Sequence, residues 1–536
     1  MKANPSRFWF IVILLGWVFD FLFWRKAPGV NFALYVILCI VTGIVLLRMD
    51  GLRLSRRASL LLFPIAFLSA VTFIRLEPMT VFLSVSMTLF LMGVFALTYL
   101  GGRWIQYGLL DYFFGFLRLF GSMVARPLGF AAQVRRLPLG QPSLGGKRIS
   151  YVWPVLRGIV IALPVIAIFA SLLSSADPVF ARRFKEFVDL FNIENLPEYI
   201  FRLVYILIFA YALAGTFLHA AQSSDESISD EKPPVSPFLG FTESAIVLGS
   251  VAVLFTAFVV IQFQYFFGGQ ANIHIEGYTY SEYARKGFGE LVTVAFFSLL
   301  LLLGLGAITR RESENQRRVF SGFGVLLVGL VIVMLVSAFQ RLVLYEAAYG
   351  FSRLRTYTHI FMIWLALLLV AVVTLEILRR ERGIGLAMVL SSLGFVVSLG
   401  VLNVDAFIVR QNIQREILGV KEEASAPSRA DLDARYFLDL SDDAVPELVT
   451  AFLDESLPAA VGEKVGAALA CKRYQREQDE REYPWQSFHI SRYTADLEIA
   501  KVDMQLDEYK VTDSGYPVKV ESPGGEEFSC SQYSYD

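Results

Sequence analysis

Eleven stretches of this chain are apolar and long enough to cross a bilayer, and no other feature limits the fold as tightly. A hydrocarbon core about 30 Å thick requires roughly 20 apolar residues in a helix, since a helix satisfies its own backbone hydrogen bonds in lipid. The stretches are 8–24, 30–47, 58–74, 78–100, 151–173, 198–221, 241–266, 288–308, 319–340, 356–378 and 386–408. Residues 105–134 are aromatic-rich but carry Asp111, Arg118 and Arg126, the pattern of an amphipathic helix lying in the interface. Mean hydropathy of +0.54 over 536 residues excludes an ordinary soluble protein. The first stretch is followed by Trp24-Arg25-Lys26, which does not fit a small-residue cleavage site, so it reads as a retained helix. The expected fold is an all-α polytopic membrane bundle of about eleven transmembrane helices followed by a small α+β soluble C-terminal domain.

The net charge of −1 conceals a split: residues 421–536 hold 12 basic and 25 acidic residues, whereas residues 1–420 hold 36 and 24. A basic membrane part joined to an acidic tail is not a nucleic-acid signature. One set of alternate loops (1–7, 48–57, 101–150, 222–240, 309–318, 379–385) carries 21 Lys and Arg, and the opposite set carries 11. The positive-inside bias therefore predicts a cytoplasmic N-terminus and, with eleven spans, an extracytoplasmic tail. The polar stretch 222–240 reads as a cytoplasmic linker between a six-span group (1–221) and a five-span group (241–410), with the acidic domain over 420–536.

In the tail, Ser441 or Asp442 is placed to cap a helix, a second helical run covers 459–482, and 508–512 and 517–521 read as short strands between turn residues. Cys471 and Cys530 are its two cysteines, and in an oxidising compartment they are expected to form a disulfide. Cys39 lies in an apolar run and reads as packing.

Standard catalytic signatures do not occur. Gly140 to Lys147 approaches a phosphate loop, but the spacing is off by one and Arg148 stands where Ser or Thr would hold magnesium. No metal site and no cofactor are expected. No charge falls near a span midplane, which disfavours a proton-coupled pump.

Four polar-aromatic stretches fall on the predicted outer face and form the candidate site. They contribute Asp177; His274, Glu276, Tyr280, Glu282, Tyr283, Arg285 and Glu290; Arg341, Glu346, Tyr349, Arg353, Arg355, Tyr357 and His359; and Asn403, Asp405 and Arg410. Thr279-x-x-Glu282 is a capping box that starts a helix running into the eighth span. Tyr283, Gly287 and Glu290 then share one helix face, and Arg341 is the expected partner of Glu290. Against this stands the plain reading, in which aromatic residues anchor span ends and charges pair for structural reasons.

At SADPVF (175–180), EGYTYSEYARKGFGEL (276–291), LYEAAYGFSRLRTYTH (344–359), NVDAFIVRQNIQR (403–415) and LDARYFLDLSDDAVPEL (432–448), the chain resembles bacterial multispan membrane proteins grouped as a domain of unknown function, number forty-one seventy-three or its sibling forty-one fifty-three. The resemblance implies a bacterial cytoplasmic-membrane location and supplies no activity. The first expectation for function is an envelope protein handling an anionic or lipid-linked ligand at the outer leaflet by transport, flipping or transfer. The arginines suit phosphate or carboxylate groups. The alternative is a non-enzymatic sensor or assembly factor whose acidic outer domain binds a ligand or partner. The expected partners are the lipid bilayer, such a ligand and an unidentified protein, with no nucleic acid.

Overall fold

The computed structural model describes residues 4–136, 158, 162, 165–166, 168–189, 195–222, 237–266, 288–421, 434–479, 483–513 and 517–530. Its main helices are α1 (Pro5–Phe23), α2 (Val30–Met49), α3 (Leu62–Ile74), α4 (Pro78–Leu97), α5 (Leu109–Arg136), α6 (Pro178–Asp189), α7 (Leu196–Gln222), α8 (Phe241–Phe266), α9 (Phe288–Ile308), α10 (Glu314–Tyr349), α11 (Arg353–Ile377), α12 (Gly383–Leu402) and α13 (Val404–Lys421). The C-terminal region adds α14 (Ala434–Asp439), α15 (Val445–Phe452), α16 (Ala459–Glu477) and α17 (Ile490–Lys501). It ends in three antiparallel strands: β1 (Lys510–Thr512), β2 (Lys519–Glu521) and β3 (Glu527–Ser529).

Ten helices among the described residues are long and apolar enough to cross a membrane, and they coincide with ten of the eleven stretches read from the sequence. The other stretch, 151–173, lies mostly outside the described residues. The span helices present large apolar side chains outward, with Phe10 68%, Phe63 79% and Val253 71% exposed. Such surface is stable only against lipid, so the protein is a multi-pass membrane protein in contact with the bilayer.

α1 to α4 and α7 pack together, as do α8 to α11, and α12 packs on both α11 and α4. The last span is shorter than its apolar stretch. Asn403 adopts a left-handed conformation (φ 51°) that ends α12 at Leu402 and starts α13 at Val404. Asn tolerates that region better than other residues with a Cβ. Val404, Ile408, Val409 and Ile413 of α13 then share one core with Phe437, Leu448, Val465 and Leu469. That core also takes in Leu399 of α12, so it runs without a break from the last span through α13 into the C-terminal region.

The loops separate onto two ends, as the alternation of spans requires. At one end, the α1–α2, α3–α4 and α10–α11 connections and Asn403 gather against the C-terminal domain, through bonds such as Val30 N–H to Phe488 O (3.1 Å) and Leu76 N–H to Asp443 Oδ2 (2.7 Å). At the other end, Trp104 Nε1 donates to Arg57 O (2.9 Å) and Arg310 N–H donates to Leu239 O (2.8 Å). α5 belongs to this second end. Phe130 stacks edge-on against Phe8 at the start of α1 (5.4 Å), Ser122 Oγ lies 2.8 Å from His219 near the end of α7, and Phe116 packs against Phe90 of α4. Gly215 makes this approach possible, because a Cβ there would sit 2.4 Å from Met123 Cα.

Cys471 on α16 and Cys530, just past β3, form a disulfide with Cα atoms 5.2 Å apart across 59 residues. Closing a loop of that length stabilises the domain by about 4 kcal/mol in the chain-entropy model. Thiol labelling of unreduced, unfolded protein should therefore modify Cys39 alone. Modification of three cysteines per chain would show that the bridge is absent.

Candidate functional site

The polar residues at the domain end come together around one turn, Ser441-Asp442-Asp443, which enters the bundle from the C-terminal domain. Ser441 caps it: its Oγ accepts from Asp443 N–H at 3.3 Å. On the bundle side, Glu77 is the N-cap of α4 and accepts from Met79 N–H (2.9 Å) and Thr80 N–H (2.7 Å). An N-cap carboxylate answers the unpaired first-turn amides and the positive end of the helix dipole. The amides just ahead, Leu76 N–H and Glu77 N–H, donate to Asp443 Oδ2 at 2.7 and 2.9 Å. The Asp443 side chain thereby completes the start of a span from more than 360 residues away. Arg75 lies 3.9 Å from its other oxygen and donates to Gly400 O at 3.1 Å, tying α12 to the same point. Burial raises the Asp443 carboxyl above its ordinary pKa, and the two amides and Arg75 act in the opposite direction.

The second half of the junction is an ion pair. Asp405, in the first turn of α13, is fully buried and accepts from Arg353 Nε (2.7 Å) and Nη2 (2.6 Å) in a bidentate fork. Its Oδ2 also accepts from Ser441 N–H at 2.7 Å. Arg353 opens α11, and its own N–H donates to the Tyr436 hydroxyl of α14 at 2.9 Å. Tyr357, one turn further along α11, donates its hydroxyl to Glu77. Asn403 Nδ2 donates to Asp443 O at 3.3 Å. Lys472 of α16, 6% exposed, donates to Leu440 O at 2.8 Å. Burial lowers its pKa to about 8, the carboxylates of Asp442 and Asp405 pulling the other way. Glu77, Asp405 and Asp443 are thus balanced by Arg75, Arg353 and Lys472.

Other candidates sit in pairs around this centre. Glu346 is buried with its Oε1 3.4 Å from His359 Nδ1. Arg355 lies over the Tyr345 ring at 4.1 Å and donates to Gly350 O. Tyr349 packs on Tyr345 at 5.0 Å. Gly350 (φ 79°) turns the chain between α10 and α11, where Phe351 N–H donates to Asn412 Oδ1 at 2.6 Å; a Cβ on Gly350 would meet that same oxygen. Arg410 forks onto Glu447 with both contacts at 3.0 Å, largely in solvent.

Three expectations come out differently or fall elsewhere. Asp177 caps α6 through Val179 N–H (2.8 Å) and joins none of the other candidates among the described residues. Glu290 is exposed in the first turn of α9, and no ion pair joins it directly to Arg341 on α10 among the described residues. His274, Glu276, Tyr280, Glu282, Tyr283 and Arg285 lie outside the described residues, as does the capping box at 279–282. No metal-binding group of three or more His, Cys, Asp or Glu occurs among the described residues. The sequence reading missed Arg75, Glu77, Asp443, Tyr436 and Lys472. Glu77-Pro78 at the head of an apolar run was a usable N-cap signal, and Pro at the first helical position strengthens it. Nothing local marks Asp443 as the partner of that helix.

A family model described as Domain of unknown function (DUF4153) matches residues 62–451. The chain belongs to this family. The family is the second of the two that the motifs resemble. The DUF4153 match takes in Arg75, Glu77, Arg353, Tyr357, Asn403, Asp405 and the 441–443 turn, and it ends before Lys472 and the disulfide. No curated protein and no solved structure shows significant similarity to the chain.

Removing one partner of the buried Arg353–Asp405 pair should cost about 3–5 kcal/mol, because the other charge is stranded. Asp405→Leu or Arg353→Met alone should therefore lower the melting temperature in detergent far more than the double variant does relative to the sum of the two. Additive effects would show that the pair is not coupled. Lys472 gives a pH signature. Its folded pKa, about 8, lies below its ordinary 10.5, so the unfolded chain binds more protons between those values. Stability should then rise as pH increases from about 8 toward 10, and Lys472→Met should abolish that rise. Above about pH 10 the buried Tyr509, with its pKa pushed up to about 12, acts in the opposite direction.

Proposed function

We propose that this multi-pass membrane protein is a non-enzymatic coupling protein, a sensor or assembly factor. In this reading the C-terminal domain receives a ligand or partner and holds the span ends in one arrangement. The observation that carries the reading is the use of the candidate residues. Asp405, Arg353, Tyr357 and Asn403 are committed to bonds among the span ends and the domain, Asp405 fully buried and the other three half-buried. An outer-leaflet transporter or transferase needs an open polar cavity there, and such side chains would face it. The cleft described below sits at the opposite end.

The orientation belongs to the proposal. The basic bias of the loops favours a cytoplasmic N-terminus. The disulfide favours an oxidising compartment for the domain, hence an extracytoplasmic C-terminus of a protein in the bacterial cytoplasmic membrane. α5 then lies along the cytoplasmic interface. Its 28 residues span about 42 Å, and its partners α1, α4, α7 and α12 all meet it at that one end.

Two measurements test the proposal. A reporter active only in the cytoplasm, fused after Asp536, should be silent, and strong activity would reverse the orientation. For coupling, Cys471→Ser/Cys530→Ser protein should exchange amide hydrogens faster at 76–80 and 353–357 as well as in the domain. Faster exchange confined to 434–530 would contradict the transmission of domain state to the spans.

A further inference from the structure

The end of the bundle away from the domain carries a cleft with its own chemistry. Its volume is about 1090 Å³, at the upper limit of the ~300–1,000 Å³ usual for ligand pockets. Leu375 on the last turns of α11 forms one wall, and Leu386, Ala387 and Leu390 on the first turns of α12 form the other. Ile105 and Gln106 close one side, and Arg379, Arg380, Glu381 and Arg382 form the mouth. Polarity is therefore graded along the span axis: three guanidiniums and one carboxylate at the rim, then about one helical turn, roughly 6 Å, of apolar wall reaching into the bundle. Leu390 at the deep end is 48% exposed and Ile377 beside the rim is 53% exposed, so the cleft is continuous with the lipid-facing surface.

The rim is held in place. Arg379 takes a left-handed conformation (φ 57°) at the end of α11, where Arg380 N–H donates to Leu375 O at 2.8 Å and Arg379 N–H donates to Glu376 O at 3.1 Å. Those two bonds close the helix and place the four rim residues 379–382 in the turn that follows. Arg379 pairs with Glu314 at 2.6 Å, and Arg311 from the neighbouring connection pairs with Glu376 and lies 3.5 Å from Glu381, so four guanidiniums stand against three carboxylates. The mouth therefore keeps a positive excess at headgroup level, above walls that suit acyl chain.

We infer that this cleft binds an anionic phospholipid, its phosphate at the Arg380 and Arg382 end and the upper part of an acyl chain against Leu375, Leu386 and Leu390. Basic pockets between spans suit such headgroups, and the guanidinium fork suits phosphate. A soluble phosphate lacks the part that the apolar walls would cover.

Native mass spectrometry of the full-length protein in detergent tests this with phosphatidylglycerol against phosphatidylcholine. The wild type should retain phosphatidylglycerol severalfold better. Arg380→Gln/Arg382→Gln should erase the preference, while Arg317→Gln/Arg318→Gln, on the same end but outside the cleft, should keep it. Ala387→Trp, which fills the wall and leaves every arginine in place, should displace the lipid, so the outcome does not hang on one variant folding. Equal retention of both lipids would overturn the assignment. So would equal loss in the Arg317/Arg318 variant, unchanged retention in Ala387→Trp, or displacement by glycerol phosphate at the lipid's own concentration.

Discussion

The buried carboxylate of Asp405 is the contact on which the rest of the architecture depends. It holds the guanidinium of Arg353 from one span and the amide of Ser441 from the domain, with no exposure to solvent of its own. A charge in that position is tolerable only when every lone pair is answered. Its neighbours are therefore constrained in turn. Ser441 sets the turn that aims Asp443 at the amides of Leu76 and Glu77, and Glu77 orders the start of α4 and receives Tyr357. Domain and spans meet here through one connected set of bonds, beside separate contacts such as Val30 N–H to Phe488 O, and loss of the Asp405 carboxylate removes a partner from both Arg353 and Ser441.

The bilayer explains why the set sits where it does. Within lipid, backbone amides are spent inside each helix, so a soluble domain can grip the bundle only at helix ends, where the first amides of a span are unpaired. Asp443 uses that opportunity at α4. Arg353 lies in the first turn of α11, where its N–H donates in the same way to the Tyr436 hydroxyl of the domain. The left-handed Asn403 makes the geometry possible, turning the chain from a span into a helix whose apolar face belongs to the domain core.

Much of the bundle was legible in the sequence, because a span is written locally as a run of apolar residues. Ten of those runs coincide with helices, though the last helix ends at Leu402 short of its run, and the short strands near 510 and 520 appear where turn residues bracket them. The break at Asn403 was not legible: Leu402-Asn403-Val404 contains neither Gly nor Pro, and the apolar pattern continues across it. The candidate site was legible in part. Arg353, Tyr357, Asn403 and Asp405 stand out as charges and aromatics at span ends and do converge. Their partners Glu77, Tyr436 and Asp443 come from distant segments, and spacing along the chain carries no record of that meeting. Glu290 and Arg341 were matched by depth alone; their helices α9 and α10 do pack together, but depth does not say which face of a helix a side chain takes, and Glu290 is exposed.

The central claim is that the 441–443 turn makes domain and spans one cooperative unit. Thermal unfolding of the full-length protein in detergent, followed by one fluorophore on α16 and another near the start of α4, measures this directly. The account predicts coincident midpoints in the wild type, separating when Asp405 and Asp443 are both replaced by Leu. Two well-separated transitions in the wild type would contradict it.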